Sequence, residues 1–407
     1  MAHALIAGGG IGGLATALAL SRAGHQVTVL ERQETFSEIG AGIQLGPNAF
    51  HALDLLGVGH AVRDRAVFID ELRLMDSTTG EAIAVMPLTE RYRRRFRNPY
   101  AVVQRGDLYH PLLFACLAAD GITLVPGAAV QGYTQQRSGV SARTKDGRAF
   151  TGDLLVGADG IHSAVRAQLV GDGAPRVSGH TIYRSVIPIG RVPEELRWNA
   201  VTLWAGPSRH FVHYIIGGGD YLNLAATLDD GAREPVTNRH AHRQTVLDRF
   251  TGLGRTARRL LELGEGWREW VLCDRDPVGS WTDDRVTLMG DAAHPMLQYA
   301  AQGACQALED AVVLGAVLAG VTAADDVARC LERYSGERRE RTARTQLLAR
   351  EMGTQLYHPA GEAALRRNAM LRALSEDDLY EKVDWLHGAR QFAPEAPPAA
   401  PHPGEAM

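Results

Sequence analysis

The chain has 407 residues, of which 45% are hydrophobic and 22% charged, and a formal net charge of -4. This length holds two or three core-forming units, and the charge balance gives no pull toward nucleic acid or an anionic membrane. The four cysteines, Cys116, Cys273, Cys305 and Cys330, form neither a C-x-x-C pair nor a zinc spacing, so reduced thiols in the cytoplasm and no resident metal are expected.

Ala4 to Ala7 predict a short buried strand at the N-terminal end of the chain. The run "ALIAGGGIGGLATALALSRAG" lacks a basic leader and carries glycines where a secretory signal would be continuously apolar. No stretch reaches the about 20 apolar residues of a membrane-spanning helix. Gly8, Gly10 and Gly13 follow the strand in a G-x-G-x-x-G pattern. The first glycine permits the tight turn, the second lets backbone approach a pyrophosphate, and the third packs helix on strand. Leu14 to Ala23 predict the helix, Gly24 its end, and Gln26 to Leu30 a second strand. Glu31 closes that strand 18 residues beyond Gly13, where a carboxylate would accept ribose hydroxyls, and Arg32 beside it is a further cofactor candidate. This unit leaves NAD and FAD both open.

From Val67 to Val103 helical periodicity is lost, and turns such as Ser77-Thr78-Thr79-Gly80 predict strands. Asp76 either lines a substrate site from this sheet or is an exposed turn aspartate. "RYRRRFR", Arg91 to Arg97, reads as a solvated loop; attraction of an anionic substrate or of dinucleotide phosphates is the alternative. No recognition module accompanies it, so nucleic acid is excluded as a partner.

"RGDL" sets Arg105 at the start of a helix expected over Leu108 to Ala119. Asp153 to Val156 predict another buried strand, which runs into "GADGIHSAVR" with Asp159 at its end and Arg166 seven residues on. Tyr183 to Leu228 alternate as in an antiparallel sheet. Within it, "HFVHY" puts His210, Val212 and Tyr214 on one face and Phe211 and His213 on the other. Near the C-terminal end, "GDAAHPMLQYAAQGACQALED" joins a carboxylate, Asp291, a break at Pro295 and a helix beginning near Gly303. Residues 303 to 320 have helical spacing, and the Pro/Ala-rich stretch 392–407 reads as a disordered tail.

The glycine turn, "GADG" and "GDAAHP", in this order, resemble the single-component FAD-dependent aromatic hydroxylases, the fold of para-hydroxybenzoate hydroxylase, over nearly the whole chain to about Gly388. The resemblance implies an α/β protein with a Rossmann-like FAD domain of the glutathione-reductase type, an antiparallel-sheet substrate domain and C-terminal helices. The expected boundaries are 1–73, 98–180 and 272–340 for the FAD domain, 74–97 and 181–271 for the substrate domain, and 341–391 for the helices. By the same resemblance Asp291 binds the FAD ribityl hydroxyls, Arg105 reaches the FAD chain, and Asp159 serves FAD and the reduced nicotinamide. The helix from Gly303 then aims its positive end at the pyrimidine side of the flavin.

"GAGIQLGPNA", Gly40 to Ala49, is similar to the family's flavin-contacting loop and directs Gln44 toward the substrate. His210 and Tyr214 match a His and Tyr of hydroxylases acting on 3-hydroxybenzoate, salicylate and hydroxynicotinate. Leu297-Gln298-Tyr299 and "DWLHG", Asp384 to Gly388, are similar to the 3-hydroxybenzoate 6-hydroxylases. The expectation is hydroxylation of a phenolic acid with O₂ and NADH, or NADPH as the alternative, 3-hydroxybenzoate giving 2,5-dihydroxybenzoate. His210 would act as base, Tyr214 would orient the substrate, and Gln298 would position the substrate or the oxygen being transferred. Packing roles for His210 and Tyr214 remain the alternative. The rival functions are salicylate or hydroxynicotinate hydroxylation, tailoring of an aromatic natural product, and a non-catalytic FAD-binding redox module. Relatives suggest a homodimer.

Overall fold

The computed structural model describes residues 1–37, 41–137, 139–321, 324–390 and 392. The expected tail, apart from Phe392, and Gly40 of the flavin-contacting loop lie outside them.

Short runs of β-branched and apolar residues bounded by glycine form a six-stranded sheet. Its order is Thr282–Asp283, Val286–Leu288, Leu154–Gly157, His3–Ala7, Gln26–Leu30 and Ile122–Val125, and all neighbours are parallel except the first pair. The helices Ile11–Arg22 and Gly303–Leu318 pack together beside it. Leu5, Ile6, Leu14, Leu18, Leu308 and Leu314 are fully or almost fully buried in the resulting core. Both helices are rich in alanine and other small residues, which lets them approach closely while each buries most of its surface.

The second unit is an eight-stranded sheet. Its strands run in the order Arg239–His240, Arg268–Asp274, Arg176–Pro188, Tyr221–Asp229, Arg209–Ile216, Ala200–Gly206, Glu71–Asp76 and Ala82–Pro87. All pairings are antiparallel except that between Ala200–Gly206 and Glu71–Asp76. One face, with Tyr183, Trp204, Phe211 and Leu224, packs under the helices Arg243–Arg249 and Arg255–Glu262. The other, with Leu203, His210, Val212 and Tyr214, turns toward the FAD-type unit. The period-two reading of "HFVHY" therefore describes a strand buried on both sides.

A helix of 28 residues, Ala324–Glu351, continues into a widened π-type turn, Met352–Tyr357, before the helices Gly361–Arg372 and Glu376–His387. The last is capped by Ser375, whose hydroxyl accepts the Asp378 amide. Among the described residues no helix is long and apolar enough to cross a membrane.

Two expectations need correction. The segment read as strands and a solvated arginine loop contains the helix Glu90–Phe96. Tyr92 and Phe96, one turn apart, are buried against Tyr380, while Arg91 and Arg95 pair with Asp377 and Asp384 of the last helix. Partners nearly 300 residues away in sequence, invisible to local periodicity, turn the arginine run into one side of a helix–helix contact. The helix expected from Leu108 begins three residues earlier, at Arg105.

Candidate active site

A cavity of about 720 Å³ lies between the two sheets, within the size range of ligand pockets. Three turns at the carboxyl ends of adjacent parallel strands form one end of it. They contribute Gly10 and Gly12, then Ala158 and Gly160, then Met289, Gly290 and Asp291. Ligands of open α/β sheets bind at such strand ends.

The glycine turn has the shape a pyrophosphate requires. Gly8 adopts φ +106°, and a Cβ there would lie 2.4 Å from the Ala158 carbonyl oxygen; one on Gly13 would lie 2.0 Å from the Gly8 oxygen. The helix Ile11–Arg22 begins at this point with no side chain on its first amides, so its positive end faces the cavity. The helix Gly303–Leu318 likewise starts uncapped, with Gly303 on the cavity wall near Asp291. Asp291 is open to the cavity yet surrounded by protein, and this burial raises its carboxyl pKa against the pull of His294 and Arg105. Arg105 lies on the same wall. An anion-accepting turn, a cation and a carboxylate for sugar-like hydroxyls fit FAD.

The remaining cofactor candidates have local duties. Glu31 accepts the Gly9 amide at 2.6 Å and the Gln33 amide at 2.8 Å, and Arg32 is exposed. One oxygen of Asp159 accepts the Ala164 amide at 2.7 Å, capping the helix Ala164–Leu169, while the other is buried with no protein partner. Such an orphaned acceptor beside Ala158 and Gly160 is in keeping with a ligand contact.

The far end of the cavity gathers Gln44, Arg184, His210, Tyr214, Gln298 and Tyr299. Gln44 accepts the Tyr100 hydroxyl at 2.8 Å. Burial pushes the Tyr214 hydroxyl up to about 12, with Arg184 and Gln44 opposing. Arg184 donates to the Gln298 side-chain oxygen, so the amide singled out beside the flavin position is held by a cation that sequence reasoning missed. Asp76 does not join them. The structure corrects the substrate role considered for it: its Oδ1 accepts the Thr78 and Thr79 amides, both at 2.9 Å, and closes a hairpin outside the cavity.

His210 is buried, and its Nδ1 lies 2.8 Å from Nε2 of His358. Desolvation, then the neighbouring His358 and His180, hold its pKa well below the usual imidazole value. The imidazole is neutral at physiological pH.

Behind the Gly290 turn is a buried polar cluster that no spacing announced. Asp310 accepts the Gly290 amide at 2.9 Å, Arg338 Nε at 2.7 Å and the His294 ring at 2.5 Å. Glu309 accepts from Arg338 at 2.6 Å, Arg341 at 2.7 Å and Asn48 at 2.7 Å. Burial would raise the Asp310 carboxyl, but His294 and Arg338 hold it at about 2.

The comparisons with known proteins agree with this geometry. A family model described as FAD binding domain matches residues 1–189 and 266–348. The 3-hydroxybenzoate 6-hydroxylase 1 of Aquipseudomonas alcaligenes is 46% identical over 384 residues, 94% of this chain and 97% of that protein. The 3-hydroxybenzoate 6-hydroxylase of Klebsiella oxytoca is 43% identical over 96% of this chain and 97% of its own length. Among solved structures, a salicylate hydroxylase substrate complex superposes with a TM-score of 0.80 at 26% identity, covering 95% of each chain. The chain belongs to the FAD binding domain family and is an FAD-dependent aromatic hydroxylase.

Proposed function

We propose that this hydroxylase acts on 3-hydroxybenzoate, placing oxygen para to the phenol to give 2,5-dihydroxybenzoate, with NADH as electron donor. The observation that carries the reading is the meeting, in one cavity, of a buried imidazole, a half-buried guanidinium and a flavin-sized cradle. Relatives named for that reaction, more than 40% identical over almost their whole length, support it.

Bound FAD would pass electrons from NADH to O₂ and so activate the oxygen, one atom of which goes to the ring. The protein makes the ring carbon nucleophilic and holds it in line. His210 takes the phenol proton, which raises electron density at the para carbon. Tyr214, protonated at every physiological pH, donates to the substrate oxygen and orients it. Arg184 holds the carboxylate, and Gln298, fixed by Arg184, aligns the ring against the flavin position. Leu203, Val212, Met352 and Leu356 line the same space and exclude water. Four free cysteines fit a reducing compartment, the cytoplasm.

The test is NADH oxidation by the purified yellow holoenzyme with 3-hydroxybenzoate, salicylate and 6-hydroxynicotinate in turn, repeated with NADPH. Stimulation and hydroxylated product with 3-hydroxybenzoate are expected. A preference for either of the other acids would displace this substrate, and no response to any would move the substrate to another aromatic compound.

A further inference from the structure

The widened turn Met352–Tyr357 delivers His358 to the back of the active site, where the aromatic-hydroxylase reading supplies no task for it. Its Nε2 lies 2.8 Å from Nδ1 of His210. Close to it are His180 and Asp229, cross-strand partners on Arg176–Pro188 and Tyr221–Asp229. His180, Asp229 and His358 each present one nitrogen or carboxylate oxygen, and the three atoms lie within 4.8 Å of one another. One water can bridge polar atoms at such a separation. Exposure rises outward: His210 is 2% exposed, His180 7% and His358 9%, while the Asp229 side chain is 48% exposed. A chain of titratable groups thus leads from the cavity wall to solvent.

We infer that His358 is the second member of a proton relay that carries the phenol proton from His210 to solvent at Asp229. This rests on the reading of His210 as the base. Binding of the phenol moves its proton to one nitrogen of His210, and the proton on Nδ1 passes to Nε2 of His358. His358 releases a proton from its other nitrogen toward Asp229, which yields it to bulk water. Each imidazole ends neutral with its proton on the opposite nitrogen, and reprotonation of the product oxygen runs the chain backward and resets both tautomers.

The need for a relay is physical. A buried His210 flanked by His358 and His180 binds a proton weakly, so it cannot store the one it removes and must pass it on. The groups that face His358 are His210, His180 and Asp229 from the sheet, the Tyr299 ring from the turn Gln298–Ala300 and, beside it in sequence, Tyr357. Asp230, Arg176 and Asp274 act on His180. Tyr299 hydrogen-bonds Nδ1 of His180, leaving Nε2 of that ring 3.7 Å from Asp229. His180 therefore flanks the outlet, and Tyr357, which donates to the Tyr299 carbonyl at 2.9 Å, braces it.

The test uses the oxidised holoenzyme in weak buffer with an indicator dye. Binding of 3-hydroxybenzoate is followed by stopped flow for proton release and for the phenolate absorbance of the ligand. In His358→Gln and Asp229→Asn, proton release is expected to slow by roughly tenfold or more, within the range of general acid–base effects, with the dissociation constant changed less than about threefold. Asp229 is exposed, so D229N keeps the test open should H358Q fail to fold. Wild-type release rates in both variants would overturn the relay, and slowing in H358Q alone would overturn the exit at Asp229. A wild-type enzyme that neither binds nor hydroxylates 3-hydroxybenzoate would instead refute the substrate, a distinct failure.

Discussion

Asp310, on the helix Gly303–Leu318, accepts the backbone amide of Gly290 at 2.9 Å and so ties that helix to the turn that presents Asp291 to the cavity. The same carboxylate is held by Arg338 and His294, so the cradle is anchored from behind by a charged, fully buried cluster. Removing one partner of such a cluster leaves the other charge uncompensated. Asp310→Ala is expected to lower stability by about 3–5 kcal/mol and to weaken FAD retention. Urea unfolding and the flavin absorbance of the purified variant check both.

Acid should unfold the protein through its buried histidines. Burial lowers His213 and His387 to about 3 and His358 to about 4, and His210 lies well below its usual value. In the unfolded chain each titrates near 6.5. The folded state therefore binds fewer protons: the stability is complete above pH 6.5 and is lost as pH falls toward 3. Each histidine contributes a slope of about 1.4 kcal/mol per pH unit in its window. Unfolding free energies measured between pH 7.5 and 5 should fall steeply, and a level profile would contradict the neutral burial of these rings. His213, which packs against Trp198 and Trp204 away from the cavity, isolates the effect: His213→Phe should flatten the slope with FAD still bound.

His210→Asn should lower hydroxylation about 100-fold or more while the flavin spectrum of the holoenzyme stays unchanged. Because the pKa of His210 is depressed, the wild-type rate should carry no loss near pH 6.5 from protonation of this base. An acid limb centred there that vanished in the variant would mean that the ring is solvated.

Residues joined by local spacing were readable in advance. The glycine turn, the strand face bearing His210 and Tyr214, and the sequence Gly290–Asp291 all rest on periods of two to five residues. The partners of those groups were not. His358 is 148 positions from His210, Arg184 is 114 from Gln298, and Arg338 is 28 from Asp310. Arg91 to Arg97 misled for the same reason, since a run of positive charge looks solvated until Asp377 and Asp384 are seen across from it. Asp76 carried two readings, and two backbone amides decide for the turn.

Arg184 separates binding from chemistry. Its guanidinium is half-buried on the cavity wall and linked to Gln298. Arg184→Met should raise KM for 3-hydroxybenzoate by roughly tenfold or more, as expected for loss of a charge-assisted hydrogen bond. KM for an uncharged analogue such as 3-hydroxybenzyl alcohol should change little. Equal losses for the two ligands would show that Arg184 does not hold the carboxylate.

The most direct measurement is the fate of labelled oxygen. Holoenzyme turning over 3-hydroxybenzoate with NADH under ¹⁸O₂ should yield 2,5-dihydroxybenzoate carrying one labelled atom on the new hydroxyl, in step with NADH consumed. NADH oxidation that produced only hydrogen peroxide, or a hydroxyl at another ring position, would contradict the account.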